Sequence, residues 1–270
     1  MRNIMNIGMI TCNYFMRIYG YVMPDPLDWG KMCEKYRVEF FKADFMQLAK
    51  EIRDMNYDCL EIWEPMFSHQ VYTEDDARAV ADELGALGFK KLAYCIGGWS
   101  GGDVPQVEKA YQFAKALGAE IVTGGINVPS ADIILPEVER CGKKYGLLYA
   151  IENHPAPNPE SPEEVLALCT PYSTVGANID TGIYNMQHFD VLAAADLLKD
   201  KVYHVHFKDT KKGGSDCLPI GEGDWPIDQM LLKLKAWGYD RMLSVEFEHH
   251  SDPAPGLKQS IEYINNVLNG

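Results

Sequence analysis

The chain has 270 residues, 47% of them apolar and 24% charged, enough to bury a full core as one large domain or two small ones. A formal charge of −14 with no basic stripe argues against a nucleic-acid partner, and no apolar run approaches the roughly 18 residues of a membrane span. Seven scattered cysteines (12, 33, 59, 95, 141, 169, 217), none in a CxxC pair, predict reduced thiols in a cytoplasm rather than a disulfide framework.

In chain order, Met1-Arg2-Asn3-Ile4-Met5-Asn6 lacks the long apolar core of a secretory signal. Ile4 to Thr11 predicts a first strand. A long segment through Arg37 follows, with Tyr14, Tyr19, Tyr21 and Trp29 among its prolines and glycines. Its length predicts an ordered functional loop, whose aromatics either wall a ligand or pack on a rim. Phe45, Leu48, Ala49 and Ile52 mark a helix ending near Asn56, and Asp58 to Trp63 a second strand. Thr73 to Leu87 reads as a helix with Thr73 as N-cap and Gly88 at its end. Asp76 sits where a capping box prefers the longer Glu or Gln.

Lys91 to Ile96 predicts strand three, followed by a loop over Gly97 to Gly102. Its glycines fit neither a dinucleotide fingerprint nor a phosphate-cradling loop. Pro105 to Leu117 is helical, Ile121 to Thr123 a strand, and Ile134 to Tyr145 a helix. Four apolar runs then end in metal-ligand types: Tyr149–Glu152, Asn178–Asp180, Val202–His206 and Leu243–Glu246. Helices are predicted over Pro162–Leu168, Val191–Leu198, Ile227–Trp237 and Leu257–Leu268. Eight alternations of strand and helix without a linker predict a single (β/α)8 TIM barrel spanning residues 1–270.

Active sites of such barrels lie at the C-terminal strand ends. Glu152, Asp180, His206 and Glu246 stand there, 28, 26 and 40 residues apart. A strand-end Asp alone is ordinarily a cap or an ion-pair partner, but four ligands at this repeat point to a metal site. Carboxylates with one imidazole suit Mn²⁺ first, with Mg²⁺, Co²⁺ and Zn²⁺ as rivals. Such an ion acidifies a C–H beside a carbonyl, and Glu152 and Glu246 are the candidate proton carriers. By strand alternation His154 shares a face with Glu152 and stands as a candidate substrate-facing group. His204 lies deeper and reads as a core histidine; Glu248, His249 and His250 either line the mouth or face solvent. Glu61 is a charge inside an apolar strand and needs a partner. Glu61, Trp63, Trp99, Lys208 and Glu222 complete the candidate substrate contacts.

At these residues the sequence resembles the xylose-isomerase-like TIM-barrel superfamily of sugar isomerases, epimerases and inosose-type dehydratases. The resemblance is carried by Ile151-Glu152-Asn153-His154, Asn178-Ile179-Asp180-Thr181-Gly182, Val205-His206-Phe207-Lys208-Asp209, Gly221-Glu222-Gly223 and Ser244-Val245-Glu246. These cover roughly the C-terminal half; the N-terminal half agrees in its rhythm and in Leu60-Glu61-Ile62. The resemblance implies a divalent cation on Glu152, Asp180, His206 and Glu246, with the first and last also serving as the acid/base pair of ketose 3-epimerases. It implies a small sugar or keto-sugar as ligand, and by analogy a homo-oligomer. One position departs: where relatives often carry Asp-x-x-His, this chain has Ile183, and its nearest histidine is His188. That moves weight towards a lyase of a keto-sugar or 3-keto-glycoside, with His154 as base. A third expectation is a non-catalytic barrel whose metal is structural. The superfamily's nucleases use a richer histidine set than the seven here.

Overall fold

A computed structural model describes residues 5–270, so the part of the first predicted strand at Ile4 lies outside it. Eight parallel strands close a barrel: β1 (Asn6–Ile10), β2 (Cys59–Trp63), β3 (Lys91–Trp99), β4 (Ile121–Ile126), β5 (Leu148–Glu152), β6 (Val175–Asp180), β7 (Val202–Phe207) and β10 (Met242–Val245). A short hairpin, β8 (Asp209–Thr210) with β9 (Cys217–Leu218), stands outside it. The helices are α1 (Trp29–Glu39), α2 (Lys42–Asp54), α3 (Glu74–Leu87), α4 (Val104–Ala116), α5 (Ala131–Tyr145), α6 (Pro162–Cys169), α7 (Thr181–Met186), α8 (Val191–Leu198), α9 (Ile227–Trp237) and α10 (Ala254–Asn269). The chain is a single (β/α)8 TIM barrel. Among the described residues no helix is long and apolar enough to cross a membrane.

The interior follows the two-residue alternation of strands. Cys59, Ala93, Ile121, Ala150 and Met242 form a small apolar plug. Two residues further along the same strands come Glu61, Cys95, Thr123, Glu152 and Ser244. The interior therefore turns polar towards the strand ends, where packing alone would favour branched apolar side chains.

Local signals explain the helices. Thr73 caps α3 and completes a box with Asp76, whose shorter side chain reaches the Thr73 amide at 2.9 Å. Gly88 ends that helix at φ +92°, a left-handed conformation costly for other residues. Three expectations change. The stretch through Arg37 is not one loop: Asp28 caps α1 by accepting the Lys31 amide at 3.0 Å, so only its first part stays irregular. Strand β3 runs through Gly97 and Gly98 to Trp99, because Gly98 lets the β4 backbone at Gly125 approach closely. Helix α7, absent from the predicted elements, follows Asp180 directly because that side chain caps it.

Candidate metal centre

Four neighbouring strands, β5, β6, β7 and β10, form one arc of the barrel and deliver Glu152, Asp180, His206 and Glu246 to a single point. One donor atom from each lies within 4.8 Å of every other. The register pairs Asp180 with His206, and Glu246 N–H donates to the Phe207 carbonyl at 2.9 Å. His206 Nδ1 lies 2.9 Å from Glu152 Oε1 and 2.9 Å from Glu246 Oε2. Asp180 divides its oxygens: Oδ1 accepts the Ile183 amide at 2.9 Å, while Oδ2 is buried without a hydrogen bond. Glu246 Oε2 is buried without one too.

Lys208 brings the cluster its cation. Its side chain is buried, with Nζ 3.2 Å from Asp180 Oδ2, 3.3 Å from Glu246 Oε1 and 2.9 Å from Glu248 Oε2. Burial works against the ammonium, but Asp180, Glu246 and Glu248 together hold its pKa well above the usual lysine value. Burial raises the Asp180 carboxyl, against the pull of Lys208. Burial likewise opposes charge on His206, yet the carboxylates of Glu61, Glu246 and Glu152 hold its pKa well above the ordinary histidine value. The pocket attracts cations strongly.

Beneath this layer lies Glu61, with no exposed surface. Its carboxylate accepts from Thr123 Oγ1 and stands 2.9 Å from His204 Nε2 and 3.0 Å from His206 Nε2. Burial pushes its pKa up, but the two imidazoles outweigh this and hold it well below the usual range. Expected as a substrate contact, Glu61 is sealed under His206 instead. His204 sits in the core as expected, although its polarity serves Glu61 rather than a random partner.

The remaining candidates scatter. His154 is exposed, because β5 ends at Glu152 and strand alternation no longer aims the following side chains. Its amide donates to the Pro159 carbonyl at 3.0 Å. Trp63 is buried edge-on against Tyr36, ring centres 5.5 Å apart, which is rim packing. Trp99 is buried with its indole N–H unpartnered. Glu222 is exposed and accepts from Gln259 on α10, away from the cluster. What the Gly221-Glu222-Gly223 stretch does instead is wrap the buried Asp209: both glycine amides donate to Asp209 Oδ2, at 2.8 and 2.9 Å. A Cβ on Gly223 would fall 1.7 Å from Asp209 Oδ1.

Two asparagines were not singled out by sequence. Asn153 donates to the Asp180 carbonyl at 3.1 Å and accepts the Asp180 amide at 2.8 Å, bolting β5 to β6 at the ligand level. Asn13 does the same between the ends of β1 and β10, through Val245 O at 3.0 Å and Phe247 N at 2.7 Å. The one available signal was a buried-type amide beside a ligand in Glu152-Asn153.

The donor set fits a divalent cation. Three carboxylates and an imidazole converge, and buried Asp180 Oδ2 and Glu246 Oε2 make no regular hydrogen bond, only charged contacts with Lys208 and His206. A family model described as a xylose isomerase-like TIM barrel matches residues 49–267. The chain belongs to the xylose isomerase-like TIM barrel family. The match reaches across most of the N-terminal half as well, beyond the motifs that carried the resemblance. Among solved structures, the family member described here is similar to an L-ribulose 3-epimerase at 16% identity, over 98% of this chain and 95% of that one, with a TM-score of 0.77. A D-psicose 3-epimerase from Clostridium cellulolyticum follows the same fold at 12% identity, over 98% and 99%, with a TM-score of 0.73. A 3-keto-D-glucoside 4-epimerase from E. coli does so at 15%, over 97% and 100%, with a TM-score of 0.65. Identities this low establish the fold alone. No curated protein sequence matches the chain.

Proposed function

We propose that the chain is a divalent-metal-dependent sugar isomerase or epimerase that moves a proton on a carbon beside a carbonyl. The observation that carries this is the convergence of Glu152, Asp180, His206 and Glu246 donor atoms within 4.8 Å. These four residues would hold a cation, Mn²⁺ first, whose chemistry there would be to polarise a carbonyl and an adjacent hydroxyl. Glu152 and Glu246 stand at the two ends of the four-strand arc, so they face a ligand lying between them from opposite sides. One withdraws the proton as a carboxylate and the other returns one. Lys208, already on Asp180, Glu246 and Glu248, is placed to hold a substrate oxygen or the negative charge that grows on it. Trp63 and Trp99 stay candidates for the apolar wall, and the exposed His154 and Glu222 for groups at the barrel mouth.

The test is to incubate the Mn²⁺-loaded protein with free ketoses in D₂O. Deuterium at carbon next to the carbonyl, lost in Glu152→Gln and Glu246→Gln, is the expected result. Unlabelled sugar with every ketose would overturn the proposal.

A second reading rests on Ile183. It is buried on α7 where the family often carries a substrate-contacting histidine, while His188 lies five residues further on at φ +65°. Without that imidazole, the same proton abstraction can end in loss of a leaving group, a lyase acting on a keto-sugar or 3-keto-glycoside with His154 as the base. Release of water or aglycone from such substrates, without epimer formation, selects this reading.

A further inference from the structure

We propose that Glu61 is the positioning residue of the centre: its carboxylate takes the Nε2–H of both His204 and His206, and so fixes His206 with its Nδ1 turned to Glu152, Asp180 and Glu246. This inference rests on the metal reading above.

Glu61 comes from β2, across the barrel from β7, and no part of it reaches solvent. An unpaired carboxylate in such a place would be very costly, so its partners define it. They are three. Thr123 on β4 donates its hydroxyl to Oε1. His204 Nε2 at 2.9 Å and His206 Nε2 at 3.0 Å share Oε2. Both ring nitrogens of His206 face carboxylates, Nε2 that of Glu61 and Nδ1 those of Glu152 and Glu246, so the metal-free ring carries a proton on each; only Nδ1 faces the donor cluster, and the Nε2–H held by Glu61 is the one the ring would keep on binding a cation.

On His204 the nitrogen opposite Glu61, Nδ1, is buried with no partner. Asn178, which pairs with His204 in the sheet register, has both amide atoms buried without hydrogen bonds. Ser244 Oγ closes the layer 3.2 Å from His204 Nε2. Five strands thus place polar side chains where apolar ones would pack more cheaply, and side chains of two of them, β4 and β7, hydrogen-bond the Glu61 carboxylate beneath the candidate ligand histidine.

Glu61, His204 and His206 also lie close enough together to form a donor group, but this group lies beneath the four candidate ligands with almost no exposed surface, its two rings hydrogen-bonded to one carboxylate. Second partners of this kind tune a ligand's orientation and basicity.

The test compares Mn²⁺ titration calorimetry and thermal unfolding for wild type, Glu61→Gln and Thr123→Val, with ¹⁵N ring shifts of the Zn²⁺-loaded wild type. Thr123→Val removes a hydrogen bond from the same carboxylate without touching either ring. Glu61→Gln is expected to bind Mn²⁺ about 10- to 100-fold more weakly, while Thr123→Val loses stability but binds within about threefold of wild type. Folded Glu61→Gln with wild-type affinity overturns the proposal, leaving Glu61 a purely structural ion. Where Glu61→Gln fails to fold, the ring spectrum decides: an Nε2–H on His206 supports the assignment and an Nδ1–H overturns it. Wild type that binds no cation removes the parent reading instead, an outcome separate from failure in the variant alone.

Discussion

Asp180 Oδ1 accepts the Ile183 amide at 2.9 Å, so the residue that offers its other oxygen to the metal cluster also starts helix α7. Cap and candidate ligand are one side chain. The cap fixes the rotamer, and the fixed rotamer presents Oδ2 to the cluster beside Lys208 Nζ.

That double role separates by substitution. Asp180→Asn keeps an oxygen for the Ile183 amide but takes a charge from buried Lys208, so it should lower the thermal midpoint of the metal-free protein less than Asp180→Ala does, while weakening Mn²⁺ binding at least tenfold. Asp180→Ala should lose the cation too and cost about a further 1 kcal/mol, the usual worth of a helix cap. Calorimetry with and without Mn²⁺ distinguishes them; equal metal affinity in all three proteins would refute the assignment.

Lys208 supports a second expectation. Its ammonium sits among Asp180, Glu246 and Glu248, and removing one partner of a buried charge network costs roughly 3–5 kcal/mol. Lys208→Met should therefore destabilise the metal-free protein strongly, and Mn²⁺ should restore much of the loss by supplying positive charge to the same carboxylates. Urea unfolding with and without Mn²⁺ measures both. A loss that Mn²⁺ leaves untouched would mean that Lys208 acts through packing.

Metal removal gives a third. A ligand that binds only the folded state stabilises it by about 2.7 kcal/mol at a hundred times its Kd. Chelator treatment should lower the melting temperature of wild type and leave Glu152→Gln almost unmoved.

The fourth concerns pH. Burial lowers the pKa of His69 from 6.5 to about 4, outweighing Glu64 nearby. The unfolded chain takes up this proton below about 6.5, whereas the fold accepts it only near 4. Stability is therefore full above 6.5 and lost as pH falls through that window, by about 3 kcal/mol at most. Unfolding midpoints between pH 7.5 and 4.5 should slope less in His69→Phe than in wild type, since that variant has no proton to take up.

By itself the sequence determined the barrel and the four candidate ligands. Strand-and-helix periodicity is a local property, and a ligand at the end of an apolar run is visible without knowing its neighbours. Even the Thr73 cap and the Gly88 terminator were legible, being set within a few residues. What only the tertiary structure decided is which polar groups meet. Glu61 lies 143 residues from His204, so closure of the barrel alone brings them together. Strand alternation predicted His154 beside Glu152, but that rule holds only while the strand continues, and β5 stops at Glu152. Asn13 and Asn153 looked like ordinary amides until the sheet placed backbone groups of the neighbouring strands within reach. Local chemistry writes the candidate ligands into the chain; the register and closure of the sheet choose what stands behind them.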